Sequence, residues 1–282
     1  MITPLPGHLV DELLTRTLAE DLGLAGDLTT DTAIAAAARG EGHLVARQAG
    51  TIAGLDVALA VFPALDRDVT ATRACADGDR VPAGTILASV AGPTRALLTG
   101  ERTALNLLGH ASGIATATRE VVDAVAGTGA RIVDTRKTTP GLRALERYAV
   151  RCGGGHNHRF GLFDAVMLKD NHLVAAGGIR PAVAAVRERV GHTVHVEVEV
   201  DHLAQVEEAL AAGADSILLD NLGDEDLRAA VALVAGRAVT EASGGITPDR
   251  VAAVAATGVD VISLGWLTHS APRLDVALDL VR

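Results

Sequence analysis

From residue 131 onward the chain repeats one unit: a short β-branched run, a polar residue closing it, then an alanine-rich amphipathic stretch. Six runs have strand character, at residues 131–134, 165–168, 194–200, 216–219, 238–241 and 259–264. Helical patterns follow five of them directly, at 142–150, 181–190, 203–212, 225–234 and 248–256. Strands alternating with helices pair in parallel, because each helix carries the chain back across the sheet. So many units in so short a stretch favour a barrel or partial barrel over two separate domains.

The first hundred residues read differently. Strands at 44–47 and 51–52, then tight turns at Asp77-Gly78-Asp79 and Pro82-Ala83-Gly84-Thr85, suggest a second lobe. Residues 101–125 read as a helix broken or kinked near Ser112-Gly113, and 270–282 as a helix that packs back on the first lobe. No apolar run approaches the roughly 20 residues of a membrane helix, so a soluble protein is expected. The first residues lack the basic and apolar segments of a secretory signal. Two cysteines, Cys75 and Cys152, make no disulfide framework and fit a reducing cytoplasm.

The net charge of −10 argues against nucleic-acid binding, yet the charge is unevenly spread. Between Arg131 and Lys169 stand eight cations (Arg131, Arg136, Lys137, Arg143, Arg147, Arg151, Arg159, Lys169) against three acids (Asp134, Glu146, Asp164). That excess suggests a small, highly anionic ligand, although Arg143, Arg147 and Arg151 fall at helical spacing and suit a solvated face. Of the 25 cationic side chains only Lys137 and Lys169 are lysine. Both lie in this stretch, where a compact ammonium has a use that a planar fork does not.

In parallel α/β barrels the site is built at the carboxyl ends of the strands. Here those ends carry Asp134-Thr135-Arg136-Lys137, then Lys169-Asp170-Asn171-His172, Asp220-Asn221, Glu241-Ala242-Ser243-Gly244-Gly245 and Gly265. Ser243, Gly244, Gly245 and Gly265 fit a backbone cradle for phosphate, though glycine after a strand is often only a turn. Glu197 and Glu199 share one face of a strand that should be apolar. With Asp220 at the next strand end, Glu199 suits ribose hydroxyls and a hydrated Mg²⁺; for Glu197 an ion pair with an arginine is the simpler reading. Cys152, His156, His158 and His172 match no common zinc spacing, and Arg159 would repel the metal.

The run DTRKTTPGLRALERYAVRCGGGHNHRFGLFDAVMLKDNH, residues 134–172, resembles the signature of the quinolinate phosphoribosyltransferases, also called carboxylating nicotinate-nucleotide diphosphorylases. The likeness continues through EDLGLAGDLTTD, ERTALNLLGHASGIAT, EVEV, ILLDN, EASGGI and GWLTHSAP, essentially the whole chain. It implies an open α/β sandwich domain at 1–105, completed by a helix at 268–282, beside a partial (β/α) barrel at 106–267 with six to seven parallel strands. A seventh strand would lie near 156–160.

Carried over by position, Arg136, His158 and Arg159 would meet the two carboxylates of quinolinate, while Lys137 and Lys169 would serve carboxylate and pyrophosphate. Glu199 and Asp220 would face ribose and metal; Lys137, Lys169, Glu199 and Asp220 form the implied catalytic set. Ser243, Gly244, Gly245, Gly265 and His269 would hold the 5′-phosphate. Arg102 would reach the partner's site, making the family a dimer at least. The implied reaction joins quinolinate to phosphoribosyl pyrophosphate with loss of CO₂, using Mg²⁺ and no organic cofactor. Trp266, Ala111 and His156 depart from the family pattern.

Two alternatives stay open. A relative of the same fold could use another substrate, such as nicotinate without decarboxylation, although Arg136, His158 and Arg159 favour two carboxylates. Residues 77–90 are similar to half-repeats of biotinyl and lipoyl carriers, but no lysine stands at the hairpin to be modified.

Overall fold

A computed structural model describes residues 2–281. The chain divides into two compact units, one of Met1–Arg119, Thr138–Gly154 and Leu267–Arg282, the other of Glu120–Lys137 and Gly155–Trp266. The boundary expected at 105/106 falls inside a single helix. Among the described residues, no helix is long and apolar enough to cross a membrane.

The amino-terminal elements are α1 (Gly7–Leu22), α2 (Leu28–Ala33), β1 (Arg39–Ala46), β2 (Gly50–Thr51), α3 (Leu55–Leu65), β3 (Thr70–Arg73), β4 (Arg80–Val81), β5 (Ile86–Pro93) and α4 (Thr94–Ala124). Next come β6 (Arg131–Val133), α5 (Arg143–Cys152), β7 (Val166–Leu168), α6 (Asp170–Ala176), α7 (Ile179–Arg189), β8 (Val196–Val200), α8 (Leu203–Ala212) and β9 (Ser216–Asp220). The chain closes with α9 (Asp224–Val234), β10 (Val239–Ser243), α10 (Val251–Ala255), β11 (Val261–Ser263), α11 (Trp266–His269) and β12 (Val276–Leu280).

In the first unit a four-stranded antiparallel sheet runs β12-β1-β5-β3. The tail is therefore a strand where the sequence suggested a helix at 268–282. Pro272 removes a helical donor, and Val276, Leu278 and Leu280 alternate at strand spacing while Gly42 to Ala46 pair with Leu280 to Val276. Helix α4 is also unbroken, 31 residues long. Its Ser112 donates to the Ala53 carbonyl at 3.2 Å and accepts the Ala53 N–H at 3.1 Å. Gly109 and Gly113 mark close approach: Leu274 N–H bonds the Gly109 carbonyl at 2.9 Å, and a Cβ on Gly113 would lie 2.1 Å from the Pro272 carbonyl oxygen. Helix α5 buries Leu145, Tyr148, Ala149 and Val150 in the core of this unit.

The second unit holds a six-stranded sheet ordered β6-β11-β10-β9-β8-β7, with each neighbouring pair parallel. The outer strands β6 and β7 are not paired with each other, which makes the barrel partial. At the place suggested for a seventh strand, the chain makes one parallel bridge, Val133 with His156, before turning away. Strand interiors such as Val196, Val198, Ile217 and Leu219 are fully buried, as strands covered on both faces require.

Gly113→Ala should destabilise the protein by about 1–3 kcal/mol, because the new methyl meets backbone that has no rotamer to yield. Thermal unfolding measures this; a variant melting with the wild type would mean that the tail does not lie against α4.

Candidate active site

All the strand-end groups of the second unit lie on one edge of its sheet, because parallel strands end together. The loop after β6 begins with Asp134, which is fully buried. Asp134 Oδ1 accepts the His158 N–H at 2.9 Å, and its other oxygen accepts the Asn157 side-chain amide. One carboxylate thus anchors the segment that presents His158 and Arg159. The Arg159 guanidinium donates to the Ala165 carbonyl at 2.9 Å. Burial and then the Arg136 guanidinium pull the Arg159 pKa below its ordinary value, while Glu197 and Asp164 act in the opposite sense. Two like charges are therefore held near one another, an arrangement that suits a polyanionic ligand.

Beside them, Lys169 closes β7 and reaches Glu199 on β8, with Nζ to Oε2 at 2.7 Å. Glu199 and Asp220, with Asp170, Asp201 and Gln205, line a cleft of about 260 Å³. Lys137 is exposed at the loop after β6. Farther along the same edge, Ser243 closes β10, and Gly244 and Gly245 have φ of 92° and 56°. A Cβ on Gly244 would lie 2.3 Å from Asn221 Oδ1, so this turn requires glycine. Trp266, next to Gly265, bonds through its indole N–H to the Ile246 carbonyl at 3.0 Å. Of the other two departures from the family pattern, Ala111 is buried and His156 is exposed.

The second unit thus carries Arg136, Lys137, His158, Arg159, Lys169, Glu199, Asp220, Ser243, Gly244, Gly245 and Gly265. Arg102 and His269 belong to the other unit, at exposed positions on α4 and α11. Glu197 has His158 and Ser216 for partners where the sequence suggested an arginine. Cys152 is buried in the first unit's core, and burial pushes its thiol up to about 12. Sequence reasoning gave no role to Asp134, Ser216 or Glu241. The signal at Asp134 was available, since a carboxylate ending an apolar strand needs donors; that Glu241 lies within β10 depended on the strand continuing to Ser243.

The model of the quinolinate phosphoribosyl transferase C-terminal domain matches residues 114–279, and that of the N-terminal domain matches 27–112. The chain belongs to this family. Among curated relatives, the probable carboxylating nicotinate-nucleotide pyrophosphorylase of Bacillus subtilis is 46% identical, over 97% of this chain and 94% of its own. The carboxylating nicotinate-nucleotide pyrophosphorylase of Mycobacterium leprae is also 46% identical, over 95% of this chain and 96% of its own. A solved structure, that of NadC from Streptococcus pyogenes, superposes with a TM-score of 0.94 at 42% identity, covering 99% of this chain and all of that one.

Asp134→Asn should cost about 1–3 kcal/mol of stability, because one carboxylate oxygen becomes a donor facing another donor. Denaturant unfolding checks this; an unchanged midpoint would mean that the 157–159 segment does not depend on the charge.

Proposed function

We propose that this chain transfers the phosphoribosyl group of phosphoribosyl pyrophosphate to quinolinate, giving nicotinate mononucleotide, pyrophosphate and CO₂. The observation that carries this reading is that one parallel sheet unit brings together the pair Arg136 and Arg159 and, at the end of β7, Lys169 with a carboxylate-lined cleft. A dicarboxylate needs two cationic contacts where a monocarboxylate needs one, and an anomeric centre gaining positive charge needs nearby carboxylates.

Quinolinate's carboxylates would be met by Arg136 and Arg159, orienting its ring nitrogen toward the sugar; both ring nitrogens of His158 face protein partners, so His158 would support Arg159 in place of the direct carboxylate contact that the resemblance implies. As the bond from the anomeric carbon to pyrophosphate breaks, the bond from that carbon to nitrogen forms. Glu199 and Asp220 face the ribose and stabilise the charge developing there. Lys169 moves from Glu199 toward incoming anionic oxygens, and the N–H groups around Ser243, Gly244, Gly245 and Gly265 hold the 5′-phosphate. The product pyridinium then accepts the electron pair of the bond to CO₂ as that group leaves, and the carbon takes a proton. The ring is its own electron sink, so no organic cofactor is needed.

The cleft brings the carboxylates of Asp170, Glu199, Asp201 and Asp220 together among the apolar Leu173, Val174 and Val200, and carboxylate oxygens are the donors that a hydrated divalent cation takes. Glu199 and Asp220 would hold Mg²⁺ through water. When bound, Mg²⁺ neutralises charge on the pyrophosphate. The site is also shared between two copies: Arg102, exposed on α4, would enter the partner's site. Supporting a dimer, Leu162 and Phe163 next to the Arg159 segment are 72% and 82% exposed, an apolar surface that invites burial. A cytoplasmic location goes with this reading.

The deciding assay supplies purified protein with quinolinate, phosphoribosyl pyrophosphate and Mg²⁺, and follows nicotinate mononucleotide and CO₂. Product from nicotinate but none from quinolinate would overturn the reading. Arg159→Ala should lower kcat/KM for quinolinate by at least about tenfold, since removing one partner of a closed-site charge pair costs roughly 2–5 kcal/mol. Near-normal kcat/KM would remove Arg159 from the substrate contacts.

Sharing is tested by mixing Arg102→Ala with Lys169→Ala protein and allowing subunits to exchange. A mixed dimer has one intact site and one doubly broken, so activity should return to roughly a quarter of wild type. Exchange confirmed by mass without recovered activity would mean that Arg102 acts within its own chain or not at all.

A further inference from the structure

Below the substrate-facing guanidinium groups, the barrel end contains a buried trio that the reaction itself does not call for. His158 Nε2 lies 3.2 Å from Glu197 Oε2 on β8 and 3.4 Å from Glu241 Oε2 on β10. Both glutamates are only 4% exposed. Ser216 donates to Glu197 Oε1 at 3.0 Å, but Glu241 Oε1 is buried with no hydrogen-bond partner. The three ligand-type atoms lie within 4.8 Å of one another. Two carboxylates so close and so dry are costly unless a hydrogen-bond donor stands between them.

The far side of the imidazole decides where its proton is. His158 Nδ1 accepts the N–H of Arg159 at 2.7 Å, so it carries no hydrogen and the ring proton sits on Nε2, aimed at the glutamates. An Nε2 that bears a proton has no lone pair to offer, so this His-Glu-Glu set is not built for a metal.

We propose that Glu197 and Glu241 are positioning residues for dicarboxylate recognition: by holding His158 Nε2–H they fix its Nδ1 on the Arg159 amide, and so aim the Arg159 side chain. The chain of contacts is short and directional. The glutamates orient the ring, the ring holds the 158–159 peptide, and the guanidinium is steadied at its other end by the Ala165 carbonyl. Glu197 has a second effect, because its charge acts on Arg159 against the repulsion from Arg136. The two arginines can therefore wait side by side before a dianion arrives.

This inference rests on the proposed quinolinate reaction. Glu241 is the cleaner test, since Glu197 also serves Ser216. Glu241→Ala should raise KM for quinolinate about tenfold or more, the scale of loss that a misplaced binding group produces. KM for phosphoribosyl pyrophosphate should stay within about twofold, and kcat should fall less than quinolinate affinity. Glu241→Gln keeps the shape and one acceptor for Nε2–H, so it should recover part of the loss; if the alanine variant does not fold, comparison of glutamine with wild type decides. Unchanged quinolinate KM in a folded variant, or a parallel rise in both KM values, would overturn the positioning role while leaving the reaction intact. A wild-type protein inactive on quinolinate would overturn the reaction itself, and the inference with it.

Discussion

Holding Arg136 and Arg159 together before any anion arrives is the constraint on which the second unit's polar architecture depends. Guanidinium groups do not give up their charge, so the repulsion must be offset by fixed acids nearby. Glu197 and Asp164 act on Arg159 in that sense, and Asp134 anchors the backbone that carries it. The register of the parallel sheet supplies these acids. Glu197 and Glu199 stand two apart on β8, and Glu197 is paired across to Ser216 on β9, its hydrogen-bond donor. An apolar barrel interior would be easier to bury, but it would give two neighbouring arginines no counter-charge.

The first unit solves a simpler problem, that of closing a sheet whose last strand comes from the chain's end. Strand β12 pairs with β1, and the segment before it lies along α4 where Gly109 and Gly113 leave room. Those glycines look like helix breakers in a one-dimensional reading. Their purpose is contact: a missing side chain on a helix is a groove for another backbone.

This difference explains what was legible in the sequence. The alternation of strands and helices after residue 131 reveals the parallel sheet, because repeated periodicity survives errors at any single boundary. The strand-end groups follow from topology alone. Residues whose role is relational were not legible. Glu241 reads as one more polar strand end until His158, 83 positions earlier in the chain, is placed against it. The tail reads as helix because its alanine and leucine favour one, and only the partner strand β1 makes its alternate residues decisive. Residues 156–160 carry a strand-like position in the repeat, yet Asp134 captures the His158 N–H that a further ladder would need.

The acids and bases at this sheet edge also differ in how readily they can let go. Lys169 and Glu199 form a pair whose lysine is 45% exposed, and ion pairs open to water contribute only about 0–1 kcal/mol. Such a pair can exchange partners when phosphate or pyrophosphate oxygens approach. The His158, Glu197 and Glu241 trio is the reverse case: its glutamates are enclosed, and removing one partner from a buried charged set costs about 3–5 kcal/mol. A rigid floor fixes where the ring's carboxylates must lie, while a yielding rim accommodates a leaving group whose charge and position change during the reaction. The separation follows from depth along the same strand, since Glu197 and Glu199 differ by one step of the pleat, the first enclosed and the second opening onto the cleft.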